Sequence, residues 1–584
     1  FAGAGWEVLE AKYGTSLESV MNGPDGAALR DRIDMMSNEE YQALIRVVDG
    51  VDLRRRLADV ADRGKRQAIL ASVRDVPDDQ LQMLVGNLGG HDLPKLLQVL
   101  DEADRVDTAP VVIFAYTVKG YGLAFAGDPL NHSQLLSNSQ IDELRDEFGI
   151  AEDDAWDRLP EASRAGAWCA RVAAGLERPG DVVALPADAI PDELQSRQPA
   201  QTSTQEAFGR ALLRVGEIPH VGERVVTMSP DVATSTHLAG WINKAGVFAL
   251  EETQDFEGEA KRMLRWKPSP SGQHIELGIS EMNLFMALGQ FGLTEELAGQ
   301  PLIPIGTVYD PFVCRGLDAL IYSLYIRSRM IFAGTPAGVS LSPEGGAHQS
   351  TVTPSLGIEL PNLLFYEPAF GREVDWVLLE ALRQCCDRDH GLSTYLRLST
   401  KPIDQSLMEE PLARLGDREL RRQVLAGGYR LIDRNVASPE LPDGDVVHIA
   451  AGGIMIPEAV EAARALREEG VAANVINVTS GNRLFDALRR ARRAQLKRAS
   501  ASLDLGQLDV LFPVPERRAP IVTVQDGASH SLSFLGSVWG VPVVPLGVDE
   551  FGESGARQDI YRKVGIDAGQ IVNASLLALE LTGS

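Results

Sequence analysis

From Gly26 to about Ala103, apolar residues return every three or four positions among many charges, as in LRDRIDMMSNEEYQALIRVV and DLPKLLQVLDEA. That period predicts a layer of amphipathic helices. The pattern changes in APVVIFAYTVKGYGLAFAGDPLNHSQLLS. There an unbroken apolar run from Pro110 to Thr117 predicts a buried strand, a Gly-rich loop carries Lys119, and His132 precedes a helix over Ser139 to Phe148. The Pro-, Ser- and Gln-rich stretch ALPADAIPDELQSRQPAQTSTQ, near 184 to 205, predicts a linker.

Strand-like and helix-like segments then alternate: RVVTMS, HIELGIS before a helix from Glu281, PLIPIGTVY before LDALIYSLYIRSR, and GVSLSPEGGAHQST. A second break falls near 400 to 418, in TKPIDQSLMEEPLARLGDR. Beyond it come DVVHIAA, the helix IPEAVEAARALREEG, the strand VAANVINV, APIVTVQDG, a helix near Ser531 to Val538, and GVPVVPLGV. Such alternation predicts an α/β protein with mainly parallel strands and crossover helices. At 584 residues the chain exceeds one hydrophobic core, and the breaks divide it into domains at 1–195, 196–405 and 406–584.

In open parallel sheets, ligands bind beyond the carboxyl ends of the strands. Four polar motifs of the middle domain fall at such ends: SPD with Asp231, GISE with Glu281, GTVYDPF with Tyr309 and Phe312, and SPEGGAHQS with His348. Their shared placement predicts one site. Glu281 stands out because it is the one charged side chain between Leu277 and Thr294.

Each of these residues also has a plainer reading. Glu281 fits a first-turn acid behind the N-cap Ser280, Asp231 fits a helix cap, and Tyr309 and Phe312 fit core packing. His132, His348 and His530 fit structural roles. The Gly pair of IAAGGIMIPEA lacks the GxGxxG spacing of a nucleotide-binding turn. The basic run RLFDALRRARRAQLKR, Arg483 to Arg498, reads as a solvated helix face, with docking of an acidic partner the minority reading.

Composition narrows the field further. With 44% hydrophobic and 24% charged residues and no run of 18 apolar residues, no membrane-spanning role is expected. A net charge of −26 disfavours nucleic acid and anionic lipid, and a phosphate-bearing ligand would need a local cation, metal or helix terminus. Cys169, Cys314, Cys385 and Cys386 form neither a zinc pattern nor a disulfide framework, so a cytoplasmic location is expected. The chain opens at FAGAGWEVLE without an initiator Met or a signal-peptide pattern, as if in mid-domain.

Taken together, GISE followed by a helix, GTVYDPF, EGGAHQ, KGYG, NHSQ and GGHD resemble elements of the thiamine diphosphate enzymes of the transketolase superfamily. The resemblance is greatest to pyruvate dehydrogenase (acetyl-transferring) of the homodimeric type, over essentially all of Phe1 to Ser584. The helical insert with LRDRIDMMSNEEYQAL and GGHDLPKLL is similar to that family and is lacking in transketolase proper. The fold implied is three transketolase-like domains, the first an incomplete pyrophosphate-type domain with the insert, the second pyrimidine-binding, the third of the transketolase C-terminal type.

The resemblance also implies roles. Glu281 occupies the place of the glutamate that contacts the aminopyrimidine nitrogen of thiamine diphosphate, where an apolar setting strengthens the hydrogen bond that favours the imino tautomer. Tyr309 or Phe312 lies where an aromatic ring stacks on the pyrimidine. His132 matches a loop histidine serving proton transfer and acyl transfer to lipoamide, His348 a pocket histidine, Asp231 an acid near the substrate, and Lys119 a residue on the cofactor side.

One departure stands against these matches. The family holds Mg2+ through a GDG motif and a later asparagine, in a segment preceding the part similar to FAGAGWEV. No such motif lies there, and the DGD of Asp443 to Asp445 precedes a strand of the last domain. The expectation is therefore no metal ligand in this chain, and a partner polypeptide or segment that carries the metal site. The leading expectation is decarboxylation of a 2-oxo acid, pyruvate first, with transfer of the two-carbon unit to a lipoyl-bearing acyltransferase or carrier protein, within a homo- or hetero-oligomer. The alternatives are transketolase-like transfer of a two-carbon ketol unit from a sugar phosphate to a carrier protein or aldose, and a non-catalytic structural subunit; Arg397 could serve either enzymatic reading.

Overall fold

The computed structural model describes residues 1–176, 185–252, 268–441, 445–497 and 504–583. The chain divides into two units, Phe1–Ala173 and Ala174–Ser584.

In the first unit, the strands Glu7–Ala11 and Val111–Ala115 pair in parallel. Between them runs the helical layer expected from the charge-rich periodic sequence, in seven helices from Thr15–Met21 to Leu93–Ala103. Their apolar stripes meet in one core that includes Leu17, Leu29, Leu53, Leu57, Ile69 and Leu81. Several caps match the sequence: Ser37, Asp49, Asp62 and Asp92 each accept a hydrogen bond from a first-turn N–H, an arrangement worth about 1 kcal/mol apiece. The strand expected at 110–117 is shorter, Val111–Ala115, and it is not buried: Phe114 is 42% exposed.

The second unit holds two main sheets. The larger has eight strands in the order Leu363–Tyr366, Ser393–Arg397, Ile331–Gly334, Ile303–Val308, Val225–Ser229, His274–Glu276, Val247–Phe248 and Pro268–Ser269, all parallel. Its strands Ile303–Val308 and Ile331–Gly334 are buried throughout, which is why they read as largely apolar runs. GVSLSPEGGAHQST is not a strand. Its Pro, Ser and Gly residues form a loop with two short 3-10 turns, Val339–Leu341 and Gly346–His348, and the strand at that stage of the chain is Ile331–Gly334.

The smaller sheet runs Tyr429–Ile432, Ala472–Val478, Val446–Gly452, Ile521–Val524, Val543–Leu546, parallel except for the first strand. A buried polar network joins the two sheets. Arg397 donates to Asp310 Oδ2 at 2.9 Å, to Glu367 Oε1 at 2.8 Å and to the Asp526 carbonyl at 2.8 Å. Glu373 accepts from Tyr429 Oη and Asn477 Nδ2, each at 2.8 Å.

The stretch 557–582 is long and apolar enough to cross a membrane by length and composition. It is two helices, Arg557–Val564 and Ala568–Gly583, broken at Gly565 with φ +75°. The second buries Ile571, Ala574 and Ala578 in the core shared with the smaller sheet, while Leu576, Leu577 and Leu581 are exposed.

Candidate active site

The helix Glu281–Phe291 starts five residues after the strand His274–Glu276, with Gly278 at φ +66° turning the chain. Ser280 caps it by accepting from Asn283 N at 3.3 Å. The capping reading of GISE is therefore correct as far as it goes, and it also places Glu281 at the positive end of a helix dipole. Glu281 is buried, 6% exposed. Its Oε1 accepts from Arg315 Nη1 at 3.2 Å, and among the described residues its Oε2 has no hydrogen-bond partner.

Three further candidates gather around this pair. The Arg315 guanidinium lies over the Phe312 ring at 3.7 Å. Tyr309 stacks on Phe312 with centroids 6.0 Å apart, and His348 lies 5.6 Å from Tyr309 and 5.5 Å from Phe312. These residues leave the strands Ile303–Val308 and Ile331–Gly334, two neighbours in the sheet, so the loops converge at its carboxyl edge. Gly316 lets them close up. A Cβ there would stand 2.4 Å from the Phe285 ring and 2.6 Å from the Glu281 carbonyl.

Asp231 ends the adjacent strand Val225–Ser229 but is exposed, with φ +62°, and caps no helix. Its N–H donates to Glu276 Oε1 at 2.6 Å, and no contact joins it to the Glu281 cluster among the described residues. Glu276 was not a candidate on sequence. It is the exposed end of a relay of buried groups in which Trp241 Nε1 donates to Thr227 Oγ1 at 2.9 Å, Thr227 meets His274 Nδ1 at 2.9 Å, and His274 Nε2 meets Glu276 Oε2 at 3.4 Å. Burial pushes the Glu276 carboxyl up, but the bonds from His274 and the Asp231 N–H outweigh it and hold it below the usual range. Arg315 was missed as well, since a lone Arg after an aromatic loop carries no motif.

Arg397, considered for either substrate, ends the strand Ser393–Arg397 at the carboxyl edge of the sheet but is closed to a ligand. It is 5% exposed and all its nitrogens are committed to the network joining the sheets. His530 meets Ser355 at 3.2 Å. The basic helix Gly481–Leu496 presents exposed arginines on one side, two of them, Arg489 and Arg490, paired with Asp486. Arg498 lies outside the described residues, as do Asp443 and Gly444 of the DGD sequence.

In the first unit, Lys119 and His132 meet. Lys119 Nζ donates to His132 Nδ1 at 2.8 Å, and because an ammonium has only donors, the His132 ring proton is on Nε2. Asn131 Nδ2 donates to the Lys119 carbonyl at 2.8 Å. The GGHD and KGYG motifs also touch: His91 Nε2 accepts from Val118 N at 2.7 Å and its ring stacks on Tyr121 at 3.8 Å. No group of three or more His, Cys, Asp or Glu able to hold a metal ion occurs among the described residues.

Comparison with known proteins gives matches along most of the chain. Residues 191–401 match the pyruvate dehydrogenase E1 component middle domain, and 427–567 match the transketolase-like TK C-terminal domain. The pyruvate dehydrogenase E1 component of Pseudomonas aeruginosa is 25% identical over 605 residues, covering 99% of this chain and 65% of that protein. That of Escherichia coli K12 is 23% identical over 617 residues, covering 100% and 65%. The chain thus spans about two thirds of the length of these relatives. Among solved structures, the transketolase of Campylobacter jejuni superposes with a TM-score of 0.57 at 19% identity, over 86% of this chain and 68% of that one. With its parallel sheets and these matches along its length, the chain belongs to the transketolase-like superfamily of thiamine diphosphate-dependent enzymes, close to the pyruvate dehydrogenase E1 components.

Proposed function

We propose that this chain is part of the decarboxylating component of a 2-oxo acid dehydrogenase, acting on pyruvate and passing the two-carbon unit to a lipoyl group on an acyltransferase partner in a reducing cytoplasm. The observation that carries the reading is Glu281: a buried carboxylate with one oxygen paired to Arg315 and the other without a hydrogen-bond partner among the described residues, near two aromatic rings and a histidine. That donor set suits a flat, basic heterocycle such as the aminopyrimidine of thiamine diphosphate. The chemistry this cofactor supplies when bound is an electron sink for loss of carbon dioxide from a 2-oxo acid.

In this reading Glu281 holds a proton at the pyrimidine nitrogen, and Tyr309 and Phe312 exclude water from the ring. His348 stands at the substrate side, with Asp231 at the neighbouring strand end. His132, held by Lys119, serves the arriving lipoyl carrier. By the resemblance, the Mg2+ ligands would come from a partner polypeptide or segment. The exposed parallel pair Glu7–Ala11 and Val111–Ala115 has open edges suited to further strands from such a segment. An exposed apolar face beside Glu281, with Ile279, Met286, Tyr322 and Tyr325, suits the subunit contact of an oligomer.

The experiment is calorimetric titration of thiamine diphosphate with MgCl2 into the chain alone and into the chain plus a polypeptide bearing the GDG and asparagine segment, followed by pyruvate decarboxylation with an artificial electron acceptor. Binding should tighten at least about a hundredfold with the added segment, which corresponds to about 2.7 kcal/mol, and activity should appear. Tight, magnesium-dependent binding by the chain alone would show that the metal site is misplaced. No decarboxylation by the assembled protein would reject the proposed reaction.

A further inference from the structure

His348 lies in the stretch between Gly338 and Ser350, which holds two short 3-10 turns and neither a strand nor an α-helix. Such a segment takes its position from the groups that bind it. At one end Ser350 Oγ donates to Asp310 and accepts from Arg397 Nη2 at 3.1 Å. A second set of anchors comes from within 427–567, the matched C-terminal domain. Asp526 accepts from Val339 N at 2.8 Å and from Ser340 N at 3.1 Å, and Arg557 Nε donates to the Ser340 carbonyl at 2.9 Å. Gly555 N donates to the Ser342 carbonyl at 3.1 Å, and Ser554 Oγ to the Glu344 carbonyl at 3.2 Å.

Gln349, the residue after His348, completes this set. It is 5% exposed, and its Nε2 donates to the Glu344 carbonyl at 3.1 Å and to the Glu553 carbonyl at 3.0 Å. One amide thus closes the turn that carries His348 and fastens it to the segment 552–557. The fit is close: a Cβ on Gly552 would overlap Gln349 Oε1, and a Cβ on Gly346 would overlap the Gly552 carbonyl.

The His348 ring has no comparable anchor of its own. It is half-buried, lies 5.6 Å from the Tyr309 ring and 5.5 Å from the Phe312 ring, and makes no hydrogen bond among the described residues. Its place is therefore set by its backbone, and the contacts of Gln349 set that backbone.

We propose that Gln349 is a positioning residue for the reaction proposed above, through which the segment Gly552–Arg557 holds His348 against Tyr309 and Phe312. The inference rests on the role given there to His348 at the substrate side. It brings the C-terminal domain, which supplies none of the side chains gathered around Glu281, into the geometry of the site. A misplacement of about 1 Å can cost about a hundredfold in rate, so such a contact has leverage on turnover.

The test joins a spectroscopic reading of His348 to a double-mutant cycle. In the chain alone, labelled with carbon-13 at histidine Cε1, the His348 Hε1 resonance is assigned by its loss in His348→Gln and is displaced by the ring currents of Tyr309 and Phe312. It should move toward the value of an exposed histidine in Gln349→Met, which removes both donations, and in Gly552→Ala, which leaves Gln349 present but pushes its amide aside, with circular dichroism showing a folded chain. In the assembled enzyme each change should lower kcat for decarboxylation about tenfold. In a His348→Gln background each should lower it less than about twofold, because no ring is left to place. A merely structural loss would be equal in the two backgrounds. An unmoved resonance in both variants, or equal losses of kcat with and without His348, would overturn the proposal. An inactive assembled wild type would reject the proposed reaction, and the resonance, which is read without turnover, would still decide the positioning.

Discussion

Glu281 Oε1 and Arg315 Nη1 lie 3.2 Å apart, and the same guanidinium covers the face of Phe312 at 3.7 Å, so one arginine ties the buried carboxylate to the aromatic loop. The Glu281 side chain is 8% exposed and that of Arg315 is 55% exposed. The pair therefore stands between a weak surface bridge and a costly buried one.

A double-mutant cycle with Glu281→Gln and Arg315→Met should return a coupling of about 1–2 kcal/mol in chemical denaturation. Arg315→Met alone should be the more destabilising change, because it leaves a buried carboxylate without its cation. A coupling indistinguishable from zero would mean that the two side chains are independent.

Gly316 carries the packing side of the same arrangement. Gly316→Ala places a methyl group 2.6 Å from the Glu281 carbonyl and should cost about 1–3 kcal/mol, with a loss of thiamine diphosphate affinity in the assembled enzyme. Thermal unfolding and cofactor titration measure the two effects.

Glu373 offers a pH prediction. It is fully buried and accepts from Ala369 N, Phe370 N, Tyr429 Oη and Asn477 Nδ2, and burial still pushes its carboxyl up to about 7. The folded chain then holds a proton that the unfolded chain has lost at the same pH. Its contribution is fully present below the unfolded carboxyl value, declines as pH rises to about 7, and is level above it, a change of about 3 kcal/mol. Unfolding midpoints from pH 4.5 to 8 should show this slope in wild type relative to Glu373→Gln, and parallel curves would contradict it.

His132→Ala should spare decarboxylation measured with an artificial acceptor more than acylation of a lipoyl domain. Lys119→Met should do the same to a smaller degree, because it frees the ring that Lys119 now holds through Nδ1. Equal losses in both assays would reassign His132 to the decarboxylation step or to structure.

What the sequence conveyed follows from what each signal depends on. The crossover α/β pattern was readable because the strands at Ile303–Val308 and Val446–Gly452 are buried along their whole length and so are mostly apolar, Thr307 and His448 being the polar exceptions. The edge strand Tyr429–Ile432 and the short strand Val247–Phe248 lack that signature. Glu281 was visible because a charge is conspicuous in an apolar helix. Arg315 and Glu276 were not, since their meaning comes from partners 34 and 45 residues away. Arg397 shows the reverse error: a charged residue at a strand end suggests a ligand, and here it fastens two sheets together.

The account rests on Glu281 meeting the aminopyrimidine ring, and the most direct test is exchange of the thiazolium C2 proton of thiamine diphosphate in the assembled enzyme, compared between wild type and Glu281→Gln. The amide keeps the size of the side chain but cannot hold a proton at the ring nitrogen. Exchange should slow by several orders of magnitude while the cofactor stays bound and the fold is intact. An undiminished exchange rate in Glu281→Gln would contradict the proposed role of Glu281 and the reading of this site.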